Sequence, residues 1–294
     1  MNERNEINNA SSYCNYNETF TNYDQIRQPN GLTELLQIFK QNKTPLEEQI
    51  VLEGGFGTGV YLDHIRHHIK LIYGVEGSDE GYRQTLQKIG DAKNVRLQLG
   101  NILRLPLPDN YFHAYMVNQV THHLDTQPAF PNLDLFLNES RRVLKPGGVL
   151  TINTSSPDQL APDSGVYWNY KYIKKAVYAL QARYIPIEDI ITRLETLQFT
   201  DIKTTIPSGK IFHEQYYTDP CIVLEPDFRK GDSVYSLLTH EEIEESNALI
   251  RAAIEDDSIF MEMKQAEKNA AKIGEAVIIS ARKPEHGEAK ICEK

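Results

Sequence analysis

The sequence predicts an α/β fold, a mostly parallel sheet with helices on both faces, and three observations carry that expectation. Short apolar runs at 51–53, 71–75, 95–99, 114–117 and 149–153 each end in polar or glycine residues, as strands buried on both faces do. Stretches of helical spacing alternate with them, at 32–40, after Gly59 and at 136–144. The first strand runs directly into Gly55-Phe56-Gly57-Thr58-Gly59, a glycine-rich turn that opens a helix.

Taken in order, residues 1–17 are polar and asparagine-rich and lack an apolar signal core, so they read as a disordered leader. A segment from Tyr23 to Gly31 precedes the helix at 32–40, whose Leu32, Leu35, Leu36 and Phe39 share a face. The turn at 55–59 lets backbone amides approach a ligand that any Cβ would obstruct, and the following helix adds its positive end. A tight strand-to-helix turn without a ligand is the bland alternative. The second strand ends at Glu76-Gly77-Ser78, where a carboxylate can accept both hydroxyls of a ribose, or simply sit at a helix N-terminus. The third leads into Gly100-Asn101-Ile102, and the fourth into Asn118-Gln119-Val120-Thr121-His122-His123. Lys145-Pro146-Gly147-Gly148 stops the helix at 136–144 and turns the chain into the strand at 149–153.

Beyond that strand, residues 155–184 hold Tyr167, Trp168, Tyr170, Tyr172, Tyr178 and Tyr184, enough aromatic surface to wall an acceptor pocket or simply to pack a cap. A helix at 187–198 carries one apolar stripe, residues 199–206 alternate like an edge strand, and 276–282 supply a last strand. The interval 207–274 is too long for an ordinary connection. It contains a helix opened by a Thr239 to Glu242 capping box and a second from Ser258 to Ile273, and is expected to cap the pocket and select the acceptor. His213, Tyr216 and Tyr217 belong to it.

The glycine spacing bears on the cofactor. A dinucleotide turn would need its third glycine at position 60, where Val60 stands; here it is Gly59. With Glu53 before it, G-x-G-x-G resembles motif I of the class I S-adenosylmethionine-dependent methyltransferases. Leu105 to His113, LPLPDNYFH, is similar to the L-P-F-P-D-N-S-F-D of the type 11 and ubiquinone and menaquinone biosynthesis C-methyltransferases, and LKPGG followed by x-L is a further signature of them.

The resemblance implies a Rossmann-like seven-stranded sheet with an antiparallel last strand, S-adenosyl-L-methionine as cofactor, S-adenosyl-L-homocysteine as product, and no metal. It implies that Glu53, Gly55, Gly57 and Gly59 hold the amino acid part of the donor, and Glu76 and Gly77 its ribose. Asn101 stands where an aspartate usually bonds the adenine amino group, which an amide oxygen can also do. Ile102 flanks the ring, and Asn118 completes the cofactor set. In related enzymes the segment before motif I folds over the donor, so Tyr23 would touch it and Arg27 pair with its carboxylate, unless Tyr23 packs and Arg27 is solvated. His122 is the first candidate for a general base and His213 the second, although a histidine beside a sheet is commonly structural. Gln119, Tyr167, Trp168, Tyr216 and Tyr217 are the candidate acceptor-binding residues. The expected division is a catalytic domain at 18–206 and 275–283, a cap at 207–274 and a loose tail at 284–294.

Composition narrows the partners. At 294 residues with a net charge of -10 and no basic stripe, the chain is not built for nucleic acid or anionic lipid. The strand-four tip also differs from the N-P-P-aromatic motif of amino-group DNA methyltransferases. Cys14, Cys221 and Cys292 are few and scattered, which suits a reducing cytoplasm, gives no metal-ligand spacing and argues against arsenite chemistry. The expected activity is transfer of a methyl group to a small-molecule O, N, S or C nucleophile of secondary metabolism, by a monomer or homodimer. Two alternatives stand beside it, a nicotinamide-dependent oxidoreductase and a catalytically silent S-adenosylmethionine-binding partner protein.

Overall fold

A computed structural model of the chain describes residue 20, residues 23–125 and residues 129–285. The expected leader, with Cys14, and all of the expected tail beyond residue 285, with Cys292, lie outside the described residues. The chain enters through a short helix α1 (Tyr23–Ile26) and an amphipathic helix α2 (Leu32–Lys40), whose Leu35 and Phe39 are fully buried. There follow β1 (Ile50–Gly54), α3 (Val60–Ile65), β2 (Leu71–Glu76), α4 (Asp79–Ile89), β3 (Val95–Leu99), β4 (Phe112–Asn118), α5 (Pro131–Val143) and β5 (Leu144–Thr154). The remainder is α6 (Lys174–Gln181), α7 (Ile187–Thr196), β6 (Thr200–Thr205), α8 (Glu214–Thr218), α9 (Pro226–Gly231), α10 (His240–Glu255), α11 (Ser258–Ile273) and β7 (Val277–Arg282).

The strands form one seven-stranded sheet in the order β3-β2-β1-β4-β5-β7-β6. β1 to β5 pair in parallel, and β7 runs antiparallel to both β5 and β6. Central strands are apolar because both faces are covered: Val51 and Leu52 of β1 are wholly buried. β3 alternates buried, exposed and half-buried positions, as an edge strand does. One face packs Leu35, Phe39, Leu62 and Ile65 from α2 and α3; the other packs Leu133, Phe136, Leu137, Ile190 and Leu194 from α5 and α7.

Strand order reverses between β1 and β4, so their carboxyl ends splay around a crevice where ligands of such sheets bind. Register brings Glu53 of β1 beside Gly74 and Met116, Glu76 of β2 beside Leu99, and Asn118 of β4 beside Asn153. Three polar residues from three adjacent strands therefore stand at one rim.

Two local expectations are refined. α5 begins at Pro131 rather than Phe136, because the Asp125 carboxylate accepts the amides of Asn132 at 3.1 Å and Leu133 at 3.0 Å and caps the helix earlier. Residues 144–148 do not simply turn: Leu144 already pairs with Phe112, and the register shifts between Phe112 and Ala114, opposite the stretch that contains Gly147 at φ 78°, before Val149 pairs with Ala114.

A third apolar cluster lies at the crevice end. Residues 160–184 and 211–276 contribute Trp168, Tyr170, Val177, Phe212, Tyr216 and Phe228 to it, together with Ile26 of α1. Within it α10 is opened by the Thr239–Glu242 capping box, with both reciprocal bonds formed, at 3.2 and 2.9 Å. Among the described residues no helix is long and apolar enough to cross a membrane.

Candidate functional site

The glycine turn is shaped by its backbone. Gly55 and Gly57 have φ of 66° and 53°, and a Cβ on Gly55 would stand 2.7 Å from Val120, so both conformation and space demand glycine there. Gly55 N–H donates to the carbonyl of Val75 at 2.7 Å, tying the turn to β2. Gly57 N–H donates to Glu76 Oε2 at 2.7 Å, and Ser78 N–H to Glu76 Oε1 at 2.8 Å. Burial pushes the Glu76 carboxyl up, and these amides oppose that shift. The turn and the carboxylate thus hold one another in place, with lone pairs of Glu76 left for hydroxyl donors.

Gly59 plays a different part. Its φ is 77°, and a Cβ would come within 2.5 Å of Thr85 on α4, so it allows α3 to start against α4. It does not line the cavity that Gly55 and Gly57 line.

That cavity, about 210 Å³, sits at the reversal of strand order. Glu53, Gly55, Gly57, Glu76, Gly77, Asn101, Ile102 and Asn118, all expected cofactor residues, line it, as do Tyr23 and Arg27. Glu53 is 1% exposed; its Oε1 accepts the Asn118 amide at 3.0 Å, and its Oε2 has no partner. Burial pushes its carboxyl up to about 8, the Asn118 bond working against this. A buried carboxylate half unsatisfied at a cavity wall is suited to a cationic donor group. Asn101 spends one lone pair of Oδ1 on the Leu103 amide at 2.9 Å and keeps the other.

The segment before β1 crosses this cavity as a strap and joins the cap. Gln28 N–H donates to Ile211 O and His213 N–H to Ile26 O, while Gln28 and Asn30 side chains donate to the carbonyls of Phe212 and Gly209. Arg27 is not solvated. Its Nη2 donates to Asp232 Oδ1 at 2.9 Å, and its guanidinium lies 4.0 Å from the centre of the Phe212 ring. Burial opposes the Arg27 charge, but Asp232 beside it raises its pKa. The sequence offered no sign of this partner in the cap. Asp24 accepts from Thr58 Oγ1 and, at 2.5 Å, from Lys88, fastening the strap to the turn as well.

Behind Arg27 lies a second, smaller cavity of about 40 Å³. It shares Tyr23, Arg27, Gln119 and Ile211 with the first and reaches His122, Tyr167, Tyr170, Tyr184 and Asp232. Gln119 adopts φ 55°, a left-handed backbone at a non-glycine residue on the wall between the two.

The histidine pair divides. His122 is buried on the second cavity and stacks on Tyr184, centroids 4.4 Å apart at 11°. His123 lines the first. Burial drives the His122 pKa well below its ordinary value and that of His123 to about 3, so both are neutral at pH 7. His213 is not brought to the site: it is exposed, its Nε2 3.2 Å from the carbonyl of Asp24, and lines neither cavity.

The aromatic expectations divide too. Tyr167 lines the second cavity; Trp168, Tyr216 and Tyr217 line neither. Trp168 donates to the carbonyl of Tyr216 at 3.1 Å, Tyr216 to Asn169 at 2.7 Å and Tyr217 to Glu275 at 2.7 Å, so these rings build the interior of the cap. Tyr170 and Tyr184, from the aromatic run of the sequence, and Asp232 and His123 are among the wall residues that spacing did not single out.

Residues 52–152 match the family model described as a methyltransferase domain. A protein described as a methyltransferase from an antibiotic biosynthesis pathway of Anabaena variabilis superposes with a TM-score of 0.64 at 17% identity, over 87% of this chain and 98% of that one. One described as a methyltransferase from Bacillus halodurans gives 0.51 at 20%, over 86% and 98%. Haemonchus contortus phosphoethanolamine N-methyltransferase 2, in complex with S-adenosyl-L-methionine, gives 0.56 at 15%, over 97% of this chain and 60% of that one. At such identities the likenesses establish the fold. No curated protein sequence matches the chain. Strand order, the glycine turn with its two strand-tip carboxylates, and the matched residues agree: residues 52–152 are a methyltransferase domain, set in a Rossmann-like methyltransferase fold.

Proposed function

We propose that this protein transfers the methyl group of S-adenosylmethionine to a small-molecule O, N, S or C nucleophile of specialised metabolism, in the cytoplasm. The observation that carries the reading is the pair of cavities sharing Tyr23, Arg27, Gln119 and Ile211, one lined by the Glu53 and Glu76 carboxylates, the other by cap residues. Adjoining cavities that share lining residues can bring two reactants into contact, which a direct in-line transfer needs. The antibiotic biosynthesis pathway of the Anabaena variabilis neighbour supports the acceptor class.

The donor fits the first cavity on the chemistry of its walls. Glu53, with an unpartnered oxygen, suits the amino acid ammonium; Glu76 suits the ribose hydroxyls; Ile102 and Asn101 suit the adenine face and edge. When bound, S-adenosylmethionine supplies an electrophilic methyl on a sulfonium. The chain's own residues then have three tasks. The strap and cap exclude water, their backbones being bonded to one another between Ile26 and His213 and between Gln28 and Ile211. Alignment by Gln119 and the tyrosine wall holds the acceptor, an effect able to contribute on the order of 7–11 kcal/mol. Neutral His122 accepts a proton where the acceptor releases one, and its lowered basicity makes it a weak base, so placement carries most of the catalysis.

The test is incubation of the protein and a metabolite extract with deuteriomethyl-labelled donor, read by mass spectrometry. A metabolite gaining the labelled methyl is the expected result. If S-adenosylhomocysteine binds in calorimetry and no extract yields a labelled product, the chain is a silent binding protein and the reading is wrong. With the acceptor in hand, His122→Ala should lower kcat across pH; full turnover would remove it as the base.

A further inference from the structure

The second cavity holds polar groups that the cap has buried without satisfying. Asp232 is 2% exposed; its Oδ1 takes both the Arg27 guanidinium and, at 3.5 Å, the Val234 amide, while its Oδ2 has no partner. Arg27 Nε and Gln119 Nε2 are likewise buried without partners. All three residues line the cavity. An unmade bond at a buried polar atom costs about 1–3 kcal/mol, so a chain carrying three at one cavity has a strong reason to bind what satisfies them.

Complementarity then selects the ligand. The site offers one acceptor oxygen and two N–H donors, and its two charges cancel. An ammonium donates only, leaving Arg27 Nε and Gln119 Nε2 orphaned beside another cation. A carboxylate accepts only, leaving Asp232 Oδ2 orphaned and repelled. A neutral hydroxyl both donates and accepts. The cavity, about 40 Å³, has room for a head group and not for a ring, so the group reaches it from the first cavity past the shared Tyr23, Arg27, Gln119 and Ile211. We propose that Asp232, Arg27 and Gln119 form the recognition site for the acceptor's head group and that it selects a neutral hydroxyl over an ammonium or a carboxylate.

This rests on the methyl-transfer reading for calling the ligand an acceptor, but the selectivity stands or falls separately. The experiment titrates phenol, benzylamine and benzoate, one ring with three head groups, into the full chain saturated with S-adenosylhomocysteine and follows binding by saturation-transfer NMR. Phenol should bind at least about tenfold more tightly than either ion, the effect of one unmade buried bond. Asp232→Asn, which leaves the site net positive, should raise benzoate affinity by about tenfold and abolish the preference for phenol over it. If Asp232→Asn fails to fold, as judged by loss of S-adenosylhomocysteine binding, Gln119→Leu removes one donor without altering charge and should weaken phenol about fivefold or more. Equal binding of the three probes by the parent, or an unchanged ranking in the folded variants, overturns the proposal. Failure of S-adenosylhomocysteine to bind the parent overturns the methyl-transfer reading instead, and the same ranking is then read on the protein alone.

Discussion

On the strand-tip side of the crevice, polar groups meet across short chain separations: Gly57 and Glu76 are 19 residues apart and bonded from backbone amide to carboxylate. On the cap side, Arg27 meets Asp232 across 205 residues, side chain to side chain. The first arrangement follows from a turn that only glycine permits and from strands in parallel register. The second exists only when strap and cap have both folded. Binding of the donor and stability of the cap are therefore separable, and substitutions on the two sides should fail in different ways.

The largest effect is expected at Asp232. Asp232→Ala leaves the Arg27 guanidinium, 18% exposed, without its counter-charge, and breaking a buried pair in this way costs about 3 kcal/mol or more. Denaturant unfolding should show that loss, while affinity for S-adenosylhomocysteine in the folded fraction changes little. The comparison breaks if stability is untouched, since the pair would then not join strap to cap.

Glu76→Ala should do the reverse. Losing hydrogen bonds to a charged group costs about 1.5–3 kcal/mol, equivalent to roughly ten- to a hundredfold weaker binding of S-adenosylhomocysteine. Calorimetry measures it directly. Unchanged affinity would remove Glu76 from the donor site and leave it only the task of pinning the Gly57 and Ser78 amides.

The same contrast explains what the sequence revealed. β1 to β5, the order of Glu53, Glu76, Asn101 and Asn118 and the glycine turn were legible because each is a local pattern, apolar runs ended by residues whose backbone or charge has one obvious use. The two long helices of the cap were legible through the Thr239 capping box and Gly274. The cap's interior was not. Nothing in Trp168, Tyr170 or Tyr216 as a pattern tells which ring faces a cavity, because that depends on how residues 160–184 pack against 211–276. Asp232 reads locally as the cap of a short helix, which it also is. Tyr184 becomes a wall only by stacking on His122 from a distant turn.

The smallest effect, a change of slope, bears most directly on how the two sides meet the donor. An unperturbed glutamate titrates at 4.5 and buried Glu53 near 8. Between those values the folded protein keeps a proton that the unfolded chain has released, so the contribution of Glu53 to stability, complete below about 4.5, is lost as pH rises through about 8. Glu53→Gln carries no such proton. Its melting temperature relative to the parent should therefore climb between pH 5 and 8, since Asp232 and Glu275, whose carboxyls burial also raises, titrate alike in both proteins, as do His122 and His123, which act in the opposite sense, while Glu76, whose charge helps raise Glu53, loses that like-charge neighbour in the variant. A pH-independent difference would mean that Glu53 is not held protonated by burial. Saturating S-adenosylhomocysteine sharpens the point: if its ammonium meets the unpartnered Oε2, the ionised carboxylate is stabilised and the pH dependence of the difference between parent and variant disappears across the window.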